Sequence, residues 1–328
     1  MLQTKVFRLW IILFGIVSLA ACDMLESQLP ADDVYLFSSF RANGQDGLHL
    51  AASQDGLSWL PLNQDKSVLT PEIGGKLMRD PCIILGPDNV FHMVWTTGWQ
   101  DKGIGIAHSK DLINWSEQEY LEVMAPFAEA RNAWAPEITW DADKQQYLIY
   151  WASTLAGKYP ETEKTADKGW DHRIYATTTQ DFSNYSDTFL YYQPDFNVID
   201  ATIAIRANGY VMIVKDETRY PPAKNLKVAF SQSMAGPWQV AEQPFSPQDL
   251  WVEGPTILQI GQWYYVYFDA YTEHHYGVMR TQDFSNWQDV SAQLQMPQGS
   301  RHGSILRVTS SRVQSLMQLS TATQRQVN

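Results

Sequence analysis

One sequence pattern recurs five times along the chain and restricts the fold more than any other feature. Each copy is a run of alternating residues, then Ser or Thr, a polar turn and an aromatic residue. The five copies are GLHLAASQDGLSW, GIGIAHSKDLINW, IYATTTQDFSNY, LKVAFSQSMAGPW and YGVMRTQDFSNW. Asp stands two places after the Ser or Thr in every copy except the fourth, which has Ser233. The pattern is typical of a strand that enters a tight turn.

Two more strand patterns accompany these copies. One precedes each copy and reads VYLFSSF, FHMVWTTGW, QYLIYWAST, YVMIVKDE and WYYVYFDAY. The other reads MRDPCIIL, WAPEITW, IDATIAI, VEGPTIL and RHGSILRV, anchored on Ile83, Ile138, Ile203, Ile257 and Ile305. Three strand families at steps of about 55 residues, without helical periodicity, predict an all-β fold: a five-bladed β-propeller of four-stranded blades.

The order of the strand families predicts how the ring closes. The N-terminal strands lack a partner of the RHGSILRV type, and RHGSILRV itself lacks the other two families. The last blade is therefore expected to combine strands from both termini. We assign residues 31–310 to the propeller and residues 311–328 to a polar C-terminal tail.

The N-terminal segment has the features of an export signal. Lys5 and Arg8 precede an apolar run that ends in Leu-Ala-Ala before Cys22. This arrangement predicts a lipoprotein signal peptide over residues 1–21, with lipidated Cys22 and a tether over residues 22–30. The protein is then exported and lipid-anchored to a bacterial membrane, on its periplasmic or outer face. The alternative is an ordinary signal peptide with a chance cysteine.

The composition narrows the choice of partner. The chain has a net charge of −12, which disfavours nucleic acid and other anionic polymers. Its 13 Trp and 16 Tyr suit the faces of sugar rings, although such residues also pack between sheets. These observations favour a neutral carbohydrate as the ligand, and we expect the protein to be a monomer.

The inner-strand family carries the candidate catalytic groups. The first strand of each blade lines the central channel, so the starts of these strands converge on one funnel. Asp80, Asp200 and His302 lie three places before their isoleucine, Glu253 lies four before, and Glu137 lies one before. The alternative role of such groups is to cap turns at the channel mouth. Three carboxylates in one funnel are, however, the arrangement that glycoside hydrolysis needs.

The motifs MRDPCI, NAWAPEI, VIDATI, VEGPTI and RHGSIL, in this order, resemble those of glycoside hydrolase family 43, which includes arabinofuranosidases and xylosidases. The resemblance implies that Asp80 is the general base and Glu253 the general acid, and that Asp200 adjusts the pKa of the acid. It places His302 under the sugar and allows this residue to hold a structural Ca²⁺ through water; no cofactor is required. Ala201 departs from the Asp-Pro frequent in the family.

The resemblance also implies an inverting mechanism, with a water between base and acid. The rim is expected in the loops after the second strands, and the long loop 155–172 would close the pocket for exo action. Candidate substrate-binding residues besides Glu137 and His302 are Arg79, Trp99, Trp134, Trp170, Trp251, Tyr271 and Arg301. Arg79 and Arg301 would either bind hydroxyls or neutralise the carboxylates.

The expected substrate is a neutral plant- or algal-type oligo- or polysaccharide, cleaved by an α-L-arabinofuranosidase or β-xylosidase type of activity. Three alternatives stay open. Arg79-Asp80-Pro81 is similar to a motif of retaining, invertase-like propellers, although their Asn-Asp-Pro-Asn segment is missing. A galactosidase propeller would carry the same trio. A non-catalytic carbohydrate-binding propeller would keep the aromatic residues but would not require the three carboxylates.

Overall fold

The computed structural model describes residues 33–316, which form five four-stranded antiparallel sheets. The first sheet consists of β1 (Val34–Phe40), β2 (His49–Ser53), β3 (Leu60–Pro61) and β20 (Arg301–Val308). The second consists of β4 (Arg79–Leu85), β5 (Phe91–Thr96), β6 (Ile104–Ser109) and β7 (Glu119–Leu121). The third consists of β8 (Trp134–Asp141), β9 (Gln146–Thr154), β10 (His172–Thr179) and β11 (Phe189–Tyr192).

The remaining two sheets repeat this order. The fourth consists of β12 (Val198–Arg206), β13 (Gly209–Asp216), β14 (Asn225–Ser231) and β15 (Gln239–Val240). The fifth consists of β16 (Glu253–Ile260), β17 (Trp263–Ala270), β18 (His275–Thr281) and β19 (Gln288–Asp289). Short helical elements are α1 (Pro160–Glu163) and the 3₁₀ turns Asn63–Asp65, Asp167–Gly169 and Ser291–Gln293.

The five sheets form a closed ring, because the inner strands β4, β8, β12, β16 and β20 each contact the next. β20 pairs with β1 in antiparallel register, so one blade is built from both ends of the described chain. Apolar side chains fill the space between neighbouring blades; Leu36 and Leu50 of one blade pack with Met93 and Trp95 of the next. The predicted five-bladed β-propeller and its closure are confirmed.

The recurring motif forms the predicted turn. Asp55 Oδ1 accepts hydrogen bonds from the backbone N–H of Leu57 and Ser58, both at 2.7 Å. Asp111, Asp181 and Asp283 bind the two corresponding amides of their own turns. In the fourth copy Ser233 Oγ accepts from Ala235 N at 3.2 Å instead. A side-chain oxygen thus replaces a backbone acceptor at all five outer turns.

The C-terminal segment differs from the prediction of a polar tail from residue 311. Residues 310–316 are helical, and Val313 and Leu316 are fully buried against the first two blades. Their spacing of three places both side chains on one helix face, which outweighs the polar average of the segment. The folded part of the chain therefore extends to at least residue 316.

The predicted signal peptide (1–21) and the lipidated Cys22 with its tether (22–30) lie outside the described residues. Within residues 33–316, no helix has the length and apolarity that crossing a bilayer requires.

Candidate active site

The inner strands are irregular where the candidate catalytic groups lie. The pairing register shifts between Arg79 and Cys82 in β4, and at the equivalent point in β8, β12 and β16. At this bulge the backbone of Asp80 has φ 52° and that of Asp200 has φ 53°. Left-handed backbone is costly for residues other than glycine, and Asp is among the residues that tolerate it best. The bulge reorients both carboxylates at the mouth of the channel.

Asp80 is held by partners from two other strands. Its Oδ1 lies 3.3 Å from Nδ1 of His302, and its Oδ2 accepts a hydrogen bond from Thr96 Oγ1 at 2.8 Å. Thr96 Oγ1 in turn accepts from the backbone N–H of Ala135 at 2.8 Å. Burial opposes ionisation, but His302, Arg79 and Thr96 together lower the pKa of Asp80 to about 2. Asp80 is therefore a carboxylate at any physiological pH.

Asp200 lies on the other side of His302. Its Oδ2 accepts a hydrogen bond from Gly254 N at 3.0 Å and lies 4.0 Å from His302 Nδ1. Burial, with the nearby charges of Glu253 and Asp80, raises the pKa of Asp200 to about 6 against the attraction of His302 and Lys215. The Asp200 carboxyl group therefore changes between its protonated and its ionised form just below neutral pH.

His302 is a cation between two carboxyl groups. Burial alone would lower the pKa of its imidazole, but Asp200 and Asp80 raise it to about 9. The ring packs directly on Gly254, whose φ is +59° and where a Cβ would stand 2.3 Å from His302 Cγ. Glycine is required there, which explains why the fifth blade provides its carboxylate one residue earlier, at Glu253.

Glu253 accepts hydrogen bonds from two cations. Its Oε2 lies 3.2 Å from Lys215 Nζ, and its Oε1 lies 3.0 Å from Arg301 Nη2. Each cation has a second anionic partner: Arg301 Nε donates to Asp269 at 2.5 Å, and Lys215 Nζ lies 2.7 Å from Glu217. The sequence predicted mainly the like charge of Asp200 near Glu253, whereas the structure adds the positive charges of Lys215 and Arg301. Arg301 thus neutralises carboxylates, which is one of the two roles that the sequence suggested for it; the other is to bind sugar hydroxyls.

Lys215, Asp269 and Thr96 are site residues that sequence analysis missed. All three lie at or near the C-terminal ends of second strands, after runs of buried and mostly apolar residues. Asp269 pairs directly with Glu253, and Thr96 pairs with Arg79. A charged or hydroxyl residue that ends a second strand, opposite the start of an inner strand, is the signal that could have found them.

Glu137 lies one layer deeper in the channel than the three candidate catalytic carboxylates. Its side chain is buried and accepts a hydrogen bond from Tyr150 Oη at 3.0 Å. Burial raises its pKa to about 7, against a hydrogen bond from Thr202, which stands two residues after Asp200. These contacts hold the Glu137 side chain beneath the three carboxylates, and its role in substrate binding stays a prediction.

The predicted aromatic residues form two groups. Trp134 stacks on Trp170 with ring centroids 5.0 Å apart and meets Trp99 edge to face at 5.6 Å. The guanidinium of Arg79 lies 4.2 Å from the Trp99 ring centroid. Trp251 and Tyr271 form the second group, 6.4 Å apart. Tyr271 borders the catalytic groups, because Lys215 Nζ lies 4.7 Å from its ring centroid.

Among residues 33–316, no three His, Cys, Asp or Glu side chains are arranged to hold a metal ion. Nδ1 of His302 faces Asp80 and Asp200, which leaves Nε2 for any contact through water. The structural Ca²⁺ expected near His302 stays a prediction, and no catalytic step below depends on it.

An ionised Asp80, the protonatable Asp200, and Glu253 lie around one cationic histidine at the mouth of a five-bladed propeller, beside partly exposed aromatic residues. Acidic groups in such a funnel are the arrangement that glycoside hydrolysis requires. A family model described as "Probable glycosyl hydrolase domain", of the family 43-related type, matches residues 32–314. The chain therefore belongs to the glycosyl hydrolases of family 43 and its relatives.

Similar proteins agree with this family. An α-L-arabinofuranosidase of Bifidobacterium longum subsp. longum is 20% identical over 283 residues, covering 72% of this chain and 26% of that protein. The chain thus spans about a quarter of the length of this relative. The crystal structure of an α-L-arabinofuranosidase from Lactobacillus brevis matches with a TM-score of 0.50 and 17% identity, over 65% of this chain and 72% of that one. The crystal structure of a thermostable family-43 glycoside hydrolase matches with a TM-score of 0.50 and 16% identity, over 68% of this chain and 74% of that one. These two structures share the fold.

Proposed function

We propose that this glycosidase removes terminal arabinofuranosyl or xylosyl residues from plant- or algal-type oligosaccharides, in one inverting displacement. The observation that carries the proposal is the environment of Asp80. An adjacent imidazolium and the Thr96 hydroxyl keep Asp80 ionised and fix its orientation. An oriented carboxylate at the funnel mouth can accept a proton from a water that attacks the anomeric carbon.

Glu253 is the proposed general acid. Both of its oxygens are engaged by cationic donors, Lys215 and Arg301. Proton transfer to a leaving oxygen therefore requires one of these contacts to break when the substrate enters. Asp200 supports the transfer: it is joined to Gly254 N, next to Glu253, and its own negative charge disfavours a second one nearby.

The rim supports exo action. In the loop 155–172, Thr165 O accepts hydrogen bonds from the backbone N–H groups of Arg219 and Tyr220, which lie in the next rim loop. Asn197 Nδ2 also donates to Trp170 O at 2.8 Å. These bonds join two rim loops into a wall beside the funnel. A wall on one side of the site favours binding of a chain end over the middle of a polymer.

A substrate screen tests the proposal. The purified protein is assayed on aryl α-L-arabinofuranoside, β-D-xyloside and β-D-galactoside, with Asp80→Asn as the inactive reference. We expect release of the aryl group from one of the first two, and none by the variant. Turnover of the galactoside alone would contradict the proposed arabinofuranosyl or xylosyl specificity and favour a galactosidase. Sugar binding without turnover of any glycoside would contradict the proposed activity and favour the non-catalytic alternative.

We also propose that the protein is exported and anchored through lipidated Cys22, and that it acts as a monomer. The lipobox pattern before Cys22 supports the anchor.

A further inference from the structure

A groove with an unusual charge lies beside the tryptophan cluster. It has a volume of about 460 Å³ and is lined by Gln100, Lys102, Ala130, Arg131, Lys168 and Trp170. Half of these residues are cations, and none is acidic, in a chain whose net charge is −12. The lining of the groove thus carries positive charge on an acidic protein, with the carboxylate of Glu163 nearby on the same rim loop.

The three cations have no anionic partner in the described part of the chain. The salt bridges among residues 33–316 include none of Lys102, Arg131 and Lys168. Two are fixed instead by neutral carbonyls. Lys102 Nζ donates to Ala128 O at 3.1 Å, and Arg131 Nη1 donates to Lys168 O at 3.2 Å and Gly169 O at 3.0 Å.

A nearby acid is already engaged elsewhere. Asp101 follows Gln100 in the chain, but its Oδ2 accepts hydrogen bonds from Thr97 Oγ1 at 2.6 Å and from Gly75 N at 2.7 Å. Asp101 therefore does not pair with Lys102, and the positive charge of this groove-lining residue is not neutralised by its neighbour in the chain. Like charges held close together repel, and a bound anion would remove this cost.

Aromatic side chains lie between the groove and the proposed active site. Trp170 lines the groove and stacks on Trp134, the first residue of β8. Trp134 contacts Trp99, which lies under the guanidinium of Arg79, next to Asp80. A row of ring systems therefore connects the cationic groove with the catalytic carboxylates. A saccharide whose end occupies the funnel could extend along this row.

We propose that the groove is a subsite for an acidic sugar, whose carboxylate or sulfate group binds Lys102, Arg131 and Lys168 beside Trp170. The inference rests on the proposed glycosidase function for its substrate, and it changes the expected substrate from a neutral to a partly anionic saccharide. The volume is within the ~300–1,000 Å³ typical of small-ligand sites.

Binding measurements on the Asp80→Asn protein test this subsite without consuming the ligand. Calorimetry compares a glucuronic-acid-substituted xylo-oligosaccharide, a sulfated galacto-oligosaccharide and the unsubstituted forms of both. We expect an acidic form to bind at least about threefold more tightly than its neutral counterpart at low salt. This advantage should fall at ~0.5 M NaCl, where exposed charges are screened. The acidic form that shows the advantage identifies carboxylate or sulfate as the ligand.

Variants that lack one or more of the cations show whether the groove causes the preference for the acidic saccharide. Lys102→Gln combined with Lys168→Gln should abolish the preference for the acidic form. Lys164→Gln is the matched control, because Lys164 is exposed on the same rim loop and pairs with Glu161. Equal affinity for acidic and neutral forms, or a preference that survives in the double variant, would overturn the subsite. Turnover of neutral aryl glycosides by the wild-type protein tests the proposed function separately.

Discussion

The imidazole of His302, on β20, the last of the described strands, lies 3.3 Å from the carboxylate of Asp80, on the first inner strand. The two residues belong to the neighbouring blades at the ring closure. Their charges are opposite at neutral pH, because the pKa of His302 is raised to about 9 and that of Asp80 is lowered to about 2, in each case against the effect of burial. The proposed base is therefore oriented by the contact that completes the propeller.

Asp80→Asn should lower kcat on every accepted glycoside by about 10³-fold or more, since a neutral amide cannot take a proton from water. Initial rates on aryl glycosides measure the loss. Asp88→Asn is the matched control: Asp88 lies in the turn after β4, at the opposite end of the same hairpin. Near-wild-type activity in Asp80→Asn would remove Asp80 from the role of base.

Glu253→Gln should slow the hydrolysis of a glycoside more strongly when its leaving group needs a proton in order to depart. Activated aryl glycosides are expected to keep most of their turnover, whereas an unactivated disaccharide should lose about 10²-fold or more. Glu217→Gln provides the comparison, because Glu217 also pairs with Lys215. Equal losses on both substrates by Glu253→Gln would assign the acid role elsewhere.

The proposed single displacement predicts inversion at the anomeric carbon. Proton NMR during the first minutes of hydrolysis should show the product anomer opposite to that of the substrate, before mutarotation mixes the two. A retained anomer would mean that a carboxylate attacks the carbon directly, as in the invertase-like alternative.

Folding stability should fall as the pH rises through about 9. The folded-state pKa of His302 is raised to about 9, above the ~6.5 of an unfolded histidine. Its contribution is therefore complete below pH ~6.5 and decreases as the pH approaches and passes 9, by at most about 3 kcal/mol. Urea unfolding between pH 6 and 9.5 measures this change. His302→Asn should flatten the profile, whereas exchange of the exposed His274 should leave it intact.

The lipid anchor predicts membrane fractionation of the wild-type protein. Cys22→Ser should block maturation or release the protein from the membrane, and globomycin should have the same effect. Asp80→Asn is a useful reference here, because it alters the proposed active site and leaves Cys22 in place. A wild-type protein that fractionates as soluble in untreated cells would exclude the anchor.

Much of the architecture could be predicted because the same physical requirement recurs five times. Each blade needs alternating apolar strands and a turn whose carboxylate or hydroxyl binds backbone amides, so five weak signals reinforced one another. The candidate trio followed from the register of the isoleucines. The helix over residues 310–316 was missed because only Val313 and Leu316 mark its buried face.

The charge balance of the site could not be predicted in the same way. Lys215 and Asp269 lie on second strands whose patterns read as buried and apolar, and only the strand pairing brings Asp269 opposite Glu253. The bulge that gives Asp80 and Asp200 their left-handed backbone is a local change of register, which spacing along one strand does not reveal. The cationic partners of Glu253 could therefore be identified only from the three-dimensional structure.

The pairing of β1 with β20 joins the two ends of the described chain: the hydroxyl oxygens of Ser38 and Ser304 lie 3.0 Å apart, although the two residues are separated by 266 positions. Such distant contacts form late, since a long loop must close first. His302 lies on β20 as well. A nascent chain that already carries Asp80, Asp200 and Glu253 consequently lacks the imidazolium that unites them. The three carboxylates therefore reach the arrangement seen in the structure only after β20 has docked against β1.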